Sequence, residues 1–168
     1  MNKLTPVSEL FTVNYGNSLE LINMEQCRST DPQAVPFVSR TENNNGISAF
    51  VEQKLDIEPN PAHTLSVAVG GSVLSTFYQP LPYYTGFHVL VLSPKKHMSA
   101  LEMLCYAKLI NANRYKYNYG RQANKTLKDI LIPSEISTAL FNKTTLYFED
   151  AIKSMSGQYI FHERIKKQ

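Results

Sequence analysis

The chain has 168 residues, 43% hydrophobic and 18% charged, with a formal net charge of +3. That length suits one domain with a short appended segment, and the apolar fraction excludes wholesale disorder. No apolar run approaches the roughly 18 residues needed for a helical bilayer span, so no membrane association is expected. Residues Met1–Pro6 lack the apolar core of a secretory signal. Cys27 and Cys105 are far apart and match no metal-binding spacing. The expectation is a reduced cytoplasmic protein with inert thiols and no metal or cofactor.

The charge is unevenly spread. Residues 1–87 carry four Lys/Arg against eight Asp/Glu, whereas residues 88–168 carry thirteen against six. Residues 95–128 hold eight basic side chains opposed only by Glu102. Such a block is either a solvated face or the electrostatic footprint of a nucleic-acid binder, and composition alone does not choose.

In chain order, Ser8 suits the cap of a single helical turn, Leu10–Val13 reads as a short strand, and Gly16-Asn17 makes a turn before the apolar Leu19–Ile22. Val35–Arg40 is a strand whose early proline suits an edge or a strand start. It runs into Thr41-Glu42-Asn43-Asn44-Asn45-Gly46, a turn whose last two residues tolerate positive φ, and Ile47–Val51 returns. Those asparagines serve either as turn chemistry alone or as amides displayed to an adenine edge. Thr64–Val69 is an apolar strand ending at Gly70-Gly71, with Ser72–Gln79 as its hairpin partner. Pro80–Gly86 is a rigid connection bearing Tyr83 and Tyr84, and Phe87–Leu92 is the most apolar strand. Ser99 with Glu102 forms a capping box that opens a helix, with Leu101, Leu104, Cys105, Lys108 and Leu109 at helical spacing. That helix is expected to fade near residues 111–113. His63, His88, His97 and His162 are isolated, which favours structural histidines over metal ligands.

Tyr115-Lys116-Tyr117-Asn118-Tyr119-Gly120-Arg121-Gln122-Ala123-Asn124-Lys125 alternates rings with cationic or amide side chains. It reads either as a two-faced strand with one packed face or as a basic-aromatic patch, with Tyr115 and Tyr117 packing in both cases. Thr126–Pro133 then ends in a final strand stopped by proline. From Ser134, the apolar positions Ile136, Leu140, Phe141, Leu146, Phe148, Ile152 and Met155 fit one or two amphipathic helices, interrupted by Gly157. The division expected is a domain over residues 1–133 and a helical segment over 134–168.

Catalytic signatures are missing. The chain has no GxSxG elbow, no HExxH, no CxxC, no phosphate-binding glycine loop and no Asn-Pro-Pro-Tyr or Asp-Pro-Pro-Tyr tetrad. A binding module is expected, not an enzyme.

Three stretches, taken in order, resemble the target recognition domain of type I restriction-modification specificity subunits and of related type IIG and BcgI-like type IIB systems. They are Pro36–Thr41 with Asn44–Ser48; Leu65–Ala68 through Gly71–Val73 to Phe77–Gln79; and Tyr115–Tyr117 with Tyr119–Arg121, then Leu127–Pro133. Together they cover roughly residues 8–135. The resemblance implies an α/β globule of α+β-like character, with a curved, mostly antiparallel sheet, flanking helices and a short C-terminal helical segment. It also implies a non-catalytic domain that reads half of a bipartite double-stranded DNA site from the major groove. Separate DNA adenine methyltransferase and restriction subunits would do the chemistry.

Carried onto this chain, the resemblance makes Arg40, Thr41, Asn44, Asn45, Tyr78, Gln79, Tyr119 and Arg121 candidates for base contacts. Lys95, Lys96, Lys116, Lys125 and Lys128 become candidates for phosphate contacts, which position without specifying. The family's usual two recognition domains and two long helices are not both present. A half-subunit that dimerises through the helical segment, a partner-bound fragment and a regulatory relative all stay open. A module that docks on a methyltransferase without reading DNA, and a carbohydrate- or single-strand-binding module using tyrosines as stacking platforms, are the competing readings.

Overall fold

The computed structural model describes residues 3–117 and 123–146. Among the described residues, ten strands form two four-stranded sheets and one two-stranded ribbon. The ribbon pairs β1 (Leu4–Pro6) with β10 (Leu131–Pro133). α1 (Val7–Leu10) is a single turn that leads into β2 (Phe11–Tyr15). The first sheet is ordered β2–β9–β6–β7, where β6 is Thr64–Ala68, β7 Thr76–Gln79 and β9 Val89–Pro94. The second is ordered β3–β5–β4–β8, from Gln26–Cys27, Ile47–Glu52, Ala34–Val38 and Tyr84–Thr85. All pairings are antiparallel except β4 with β8. The fold is the expected α+β arrangement, with its curved sheet divided in two.

Alternation along the strands explains the layers, because successive side chains leave opposite faces. In β9, Leu90 and Leu92 join a core under α2, whereas Val89 and Val91 join Val38 and Tyr83 against the second sheet. In β6, Leu65 and Val67 face α2. A third cluster, Met24, Val35, Phe37, Val51 and Tyr84, fills the second sheet. Pro36 lies inside β4, but β8 pairs only with Phe37 and Val38, so the chain is still edge-like at the proline.

α2 (Ala100–Asn111) carries the expected capping box, with the Ser99 hydroxyl accepting from the Glu102 amide and the Glu102 carboxylate accepting from Ser99. Those bonds hold the Glu102 carboxyl below its ordinary value. The buried stripe differs from the one expected. Of the expected positions Cys105 is buried, but its buried neighbours are Met103, Tyr106, Ala107 and Ile110, whereas Leu101, Leu104 and Leu109 are half-buried and Lys108 is exposed. Met103, Ala107 and Ile110 recur at helical spacing as cleanly as the leucines do. Residue size does not reveal which stripe meets the sheet.

Three further expectations shift. β7 starts at Thr76, not Ser72, because residues 69–75 form a loop in which Leu74 is fully buried at φ 61°. β9 starts at Val89, because His88 has φ 60° and Phe87 turns outward. Tyr83 and Tyr84 are buried, with Tyr83 bonded to the Thr64 hydroxyl at 2.9 Å and Tyr84 to the Ile57 carbonyl at 2.8 Å. They are core posts, not stacking platforms.

Among the described residues, no helix is long and apolar enough to cross a membrane, and no group of His, Cys, Asp or Glu is placed to hold a metal ion. Residues 138–146 are helical, with Phe141 and Leu146 exposed. Phe148, Ile152, Met155 and Gly157 lie outside the described residues.

Candidate nucleic-acid interface

The β4–β5 connection, residues 39–46, lies over the end of the first sheet. Its tip is a helical turn in which Asn44, Asn45 and Gly46 have φ of 48°, 56° and 79°. Asparagine tolerates the left-handed region because its short amide bonds locally. Here the Asn44 amide donates to the Ile47 carbonyl at 3.1 Å and the Asn45 amide to the Tyr78 carbonyl at 3.1 Å. Both residues are exposed, so each carboxamide keeps its oxygen and one N–H turned to solvent. Glycine is required at position 46, where a Cβ would stand 3.1 Å from Phe77 and 3.2 Å from Val38.

Two other segments meet this turn. The Arg40 carbonyl accepts from the Ser72 amide at 3.4 Å, and a Cβ on Gly71 would lie 3.2 Å from Arg40. Gly71, at φ 65°, therefore lets the exposed Arg40 cross the β6–β7 loop. On the other flank, Arg114 pairs with Glu42 at 2.8 Å. The sequence alone does not mark Arg114 as part of this end. The basic run that contains it was visible, but its partner lies 72 residues earlier.

The stretch at 115–117 is not a strand. Residues Ala112–Lys116 continue α2 as a tighter 3-10 helix, and Tyr115 is 69% exposed with Lys116 Nζ 5.6 Å from its ring centre. Only Tyr117 packs, and its hydroxyl bonds Thr126 Oγ1 at 2.9 Å. A helical continuation suits cations here, since Arg114 and Lys116 sit at the negative end of the helix dipole. Tyr119, Gly120 and Arg121 lie outside the described residues. Beyond them, the Ala123 amide donates to the Val69 carbonyl at 3.1 Å, which returns the chain to the β6–β7 loop. Lys125 follows, exposed.

One end of the molecule thus collects Arg40, Thr41, Asn44 and Asn45 with Arg114, Lys116 and Lys125, opposed by Glu42. Lys128 lies exposed in the 3-10 turn Leu127–Asp129. Lys95 and Lys96 follow the far end of β9, roughly 17 Å along the strand from the β6–β7 loop. The structure does not bring them to the cluster.

Two of the residues expected at base edges are engaged within the fold instead. Gln79 is only 2% exposed, and its Nε2 donates to the Asn45 carbonyl and the Ser66 hydroxyl, both at 3.0 Å. Its place in β7 turns it inward beneath the Asn turn. Tyr78 is half-buried, with its hydroxyl on His63 Nδ1 at 2.9 Å. The other ring nitrogen, Nε2, meets the Met98 carbonyl at 2.8 Å, so in the neutral ring Nε2 carries the proton and Tyr78 donates. His63 is therefore a link between β6, β7 and the start of α2, not an isolated residue.

Concavities lie beside this end or away from it. A pocket of about 280 Å³ runs between α2 and β7, with Asn45 and Tyr78 on its rim. A larger open groove of about 530 Å³ is walled by prolines, among them Pro32, Pro59 and Pro82, next to the second sheet. The charged loops project instead of lining a cleft, which suits a groove-bearing polymer better than a small ligand.

The sequence profile of a family described as the type I restriction modification DNA specificity domain matches residues 4–134. The specificity subunit S.BcgI of a type II restriction enzyme from Heyndrickxia coagulans is 30% identical over 134 residues, covering 77% of this chain and 37% of that protein. A type I restriction-modification S subunit from M. genitalium superposes with a TM-score of 0.61 at 17% identity, covering 95% of this chain and 43% of the other. The HsdS subunit from Thermoanaerobacter tengcongensis superposes with a TM-score of 0.58 at 11% identity, covering 92% and 38%. The chain spans well under half the length of each of these relatives.

Proposed function

Because the chain belongs to the type I restriction modification DNA specificity domain family, we propose that it is a non-catalytic component of a restriction-modification system that reads part of a double-stranded DNA site. The observation that carries this reading is the exposed Arg40–Asn45 turn, docked on β7 and flanked by Arg114, Lys116 and Lys125. Arginine forks onto a guanine edge and asparagine onto an adenine edge, and the major groove admits a projecting turn of this size.

Arg40, Thr41, Asn44 and Asn45 are the base contacts, joined by Tyr119 and Arg121. Lys116, Lys125, Lys128 and Arg114 meet phosphates. Gln79 and Tyr78 hold the turn from behind, and Lys95 and Lys96 lie outside the footprint. Methylation and cleavage belong to DNA adenine methyltransferase and restriction subunits with which the chain assembles in the cytoplasm. The segment from residue 134, helical over 138–146 with Phe141 and Leu146 exposed, is the docking or dimerisation element.

Affinity of the full chain for a duplex selected from a random pool, against scrambled duplex over a salt series, tests this reading. Preference for the selected duplex, with log affinity falling linearly against log salt, is expected. Salt-insensitive binding, or copurification with a methyltransferase without any DNA affinity, contradicts it.

A further inference from the structure

The turn that carries Asn44 and Asn45 contains three consecutive residues at positive φ, two of them not glycine. One such asparagine is a common local choice, but a run of them persists only where the surroundings over-determine it. Within the turn, the Gly46 amide bonds the Asn43 carbonyl at 2.9 Å and the Ile47 amide bonds the Asn44 carbonyl. Any tight turn has such bonds, and they do not fix where this one sits. The Ser39 amide closes its base on the Gly46 carbonyl, and Ser72 and Arg114 hold Arg40 and Glu42, but at Asn45 the bonds to the rest of the fold come from β7: Asn45 reaches the Tyr78 carbonyl, and Gln79 reaches back to the Asn45 carbonyl.

Gln79 is a costly residue to bury, since an unpartnered amide inside a protein is strongly unfavourable. Within the first sheet the Ser66 hydroxyl accepts from it, and from the turn the Asn45 carbonyl does, both at 3.0 Å. The Asn45 bond is the one that crosses from the first sheet to the projecting turn.

We propose that Gln79 is a positioning residue for base reading: its amide pins the Asn45 main chain, so that sequence discrimination depends on a side chain that touches no DNA. This rests on the DNA-reading role proposed above. With the pin in place, Asn44 and Asn45 present their amides from one fixed backbone geometry. Without it, the two asparagines relax toward negative φ and their amides leave the positions that meet base edges.

The test compares three full-length variants with the wild type. Gln79→Met keeps length and removes both bonds. Ser66→Ala removes only the inner acceptor. The double variant replaces both side chains of the buried Gln79–Ser66 pair by apolar groups, which avoids leaving Ser66 without its donor, while the Asn45 carbonyl of the exposed turn loses its donor as in Gln79→Met. Amide hydrogen exchange at Gly46 and Ile47 reports the pin without DNA. Preference for a pool-selected duplex over single-base variants reports reading.

Gln79→Met is expected to speed exchange at both amides about tenfold, the loss of roughly one hydrogen bond. It should also lower the preference about tenfold, the loss of one paired base contact, with affinity for random duplex unchanged within about twofold. Ser66→Ala keeps the wild-type preference. The double variant regains thermal stability but not the preference. Recovery of the preference with stability, or faster exchange with the preference intact, overturns the proposal. A wild-type chain with no sequence preference at all overturns the DNA-reading role, and the proposal with it.

Discussion

Arg114 donates to the carboxylate of Glu42 at 2.8 Å, which ties the end of α2 to the Asn turn across 72 residues of sequence. Both side chains are about half exposed, so the pair contributes under about 1 kcal/mol to folding. Its larger consequence is electrostatic: Glu42 is the carboxylate that a phosphate backbone would meet at this end.

Glu42→Gln is expected to leave the melting temperature almost unchanged and to tighten duplex binding severalfold at low salt, with the gain shrinking as salt rises. Arg114→Ala should weaken binding on all sequences alike and reduce the salt slope by about 1. Titrations at several salt concentrations check both.

Lys95 and Lys96 provide the matching control. If the footprint is the Arg40 end, Lys95→Ala with Lys96→Ala leaves the salt slope as it is, whereas Lys125→Ala lowers it by about 1. A fall on changing the first pair would extend the footprint along β9.

Gly46→Ala forces a Cβ into the left-handed region at φ 79° and within 3.1 Å of Phe77. The backbone part costs about 1–2 kcal/mol, and the contact with Phe77 adds to it. A drop in the denaturant midpoint with an unchanged slope is the expected signature.

Much of this arrangement was legible in the sequence. Asn45-Gly46 and Ser99–Glu102 are local chemistry, and that turn and that cap lie where those residues put them, whereas Gly70-Gly71 marks only the first part of the longer 69–75 loop. What was not legible depends on partners distant in the chain. Gln79 reads as a polar residue at a strand end, and only the fold shows Asn45 and Ser66 waiting for its amide. Tyr115 and Tyr117 alternate as in a strand, yet α2 simply continues through 112–116 and turns Tyr115 out. Tyr83 and Tyr84 resemble a display surface until two sheets close over them. A periodic pattern names the faces of an element without naming which face is covered.

Burial sets the alkaline limit of the fold through Tyr83. Desolvation pushes its hydroxyl up from 10 to about 12, only partly offset by the Thr64 bond. A phenol with a raised folded pKa contributes stability that is complete below 10 and is lost as pH rises from 10 toward about 12. The unfolded chain releases its proton first over that window. The loss is roughly 2–3 kcal/mol. Tyr83→Phe should abolish this part of the decline while costing about 1 kcal/mol at neutral pH for the lost bond to Thr64, whose hydroxyl keeps its bond to the Pro61 carbonyl at 2.9 Å. Thermal melts at pH 7 and pH 11 make the comparison.

Base reading is the role proposed for the Arg40–Asn45 turn. Its most direct test is selection of duplexes from a randomised pool by the wild-type chain and by Arg40→Ala, side by side. The expected result is one base position relaxed in the variant, at a cost of about 1–3 kcal/mol on the wild-type site, with every other position retained. Uniform weakening with an unchanged set of selected sequences would contradict the claim and leave Arg40 as a phosphate contact.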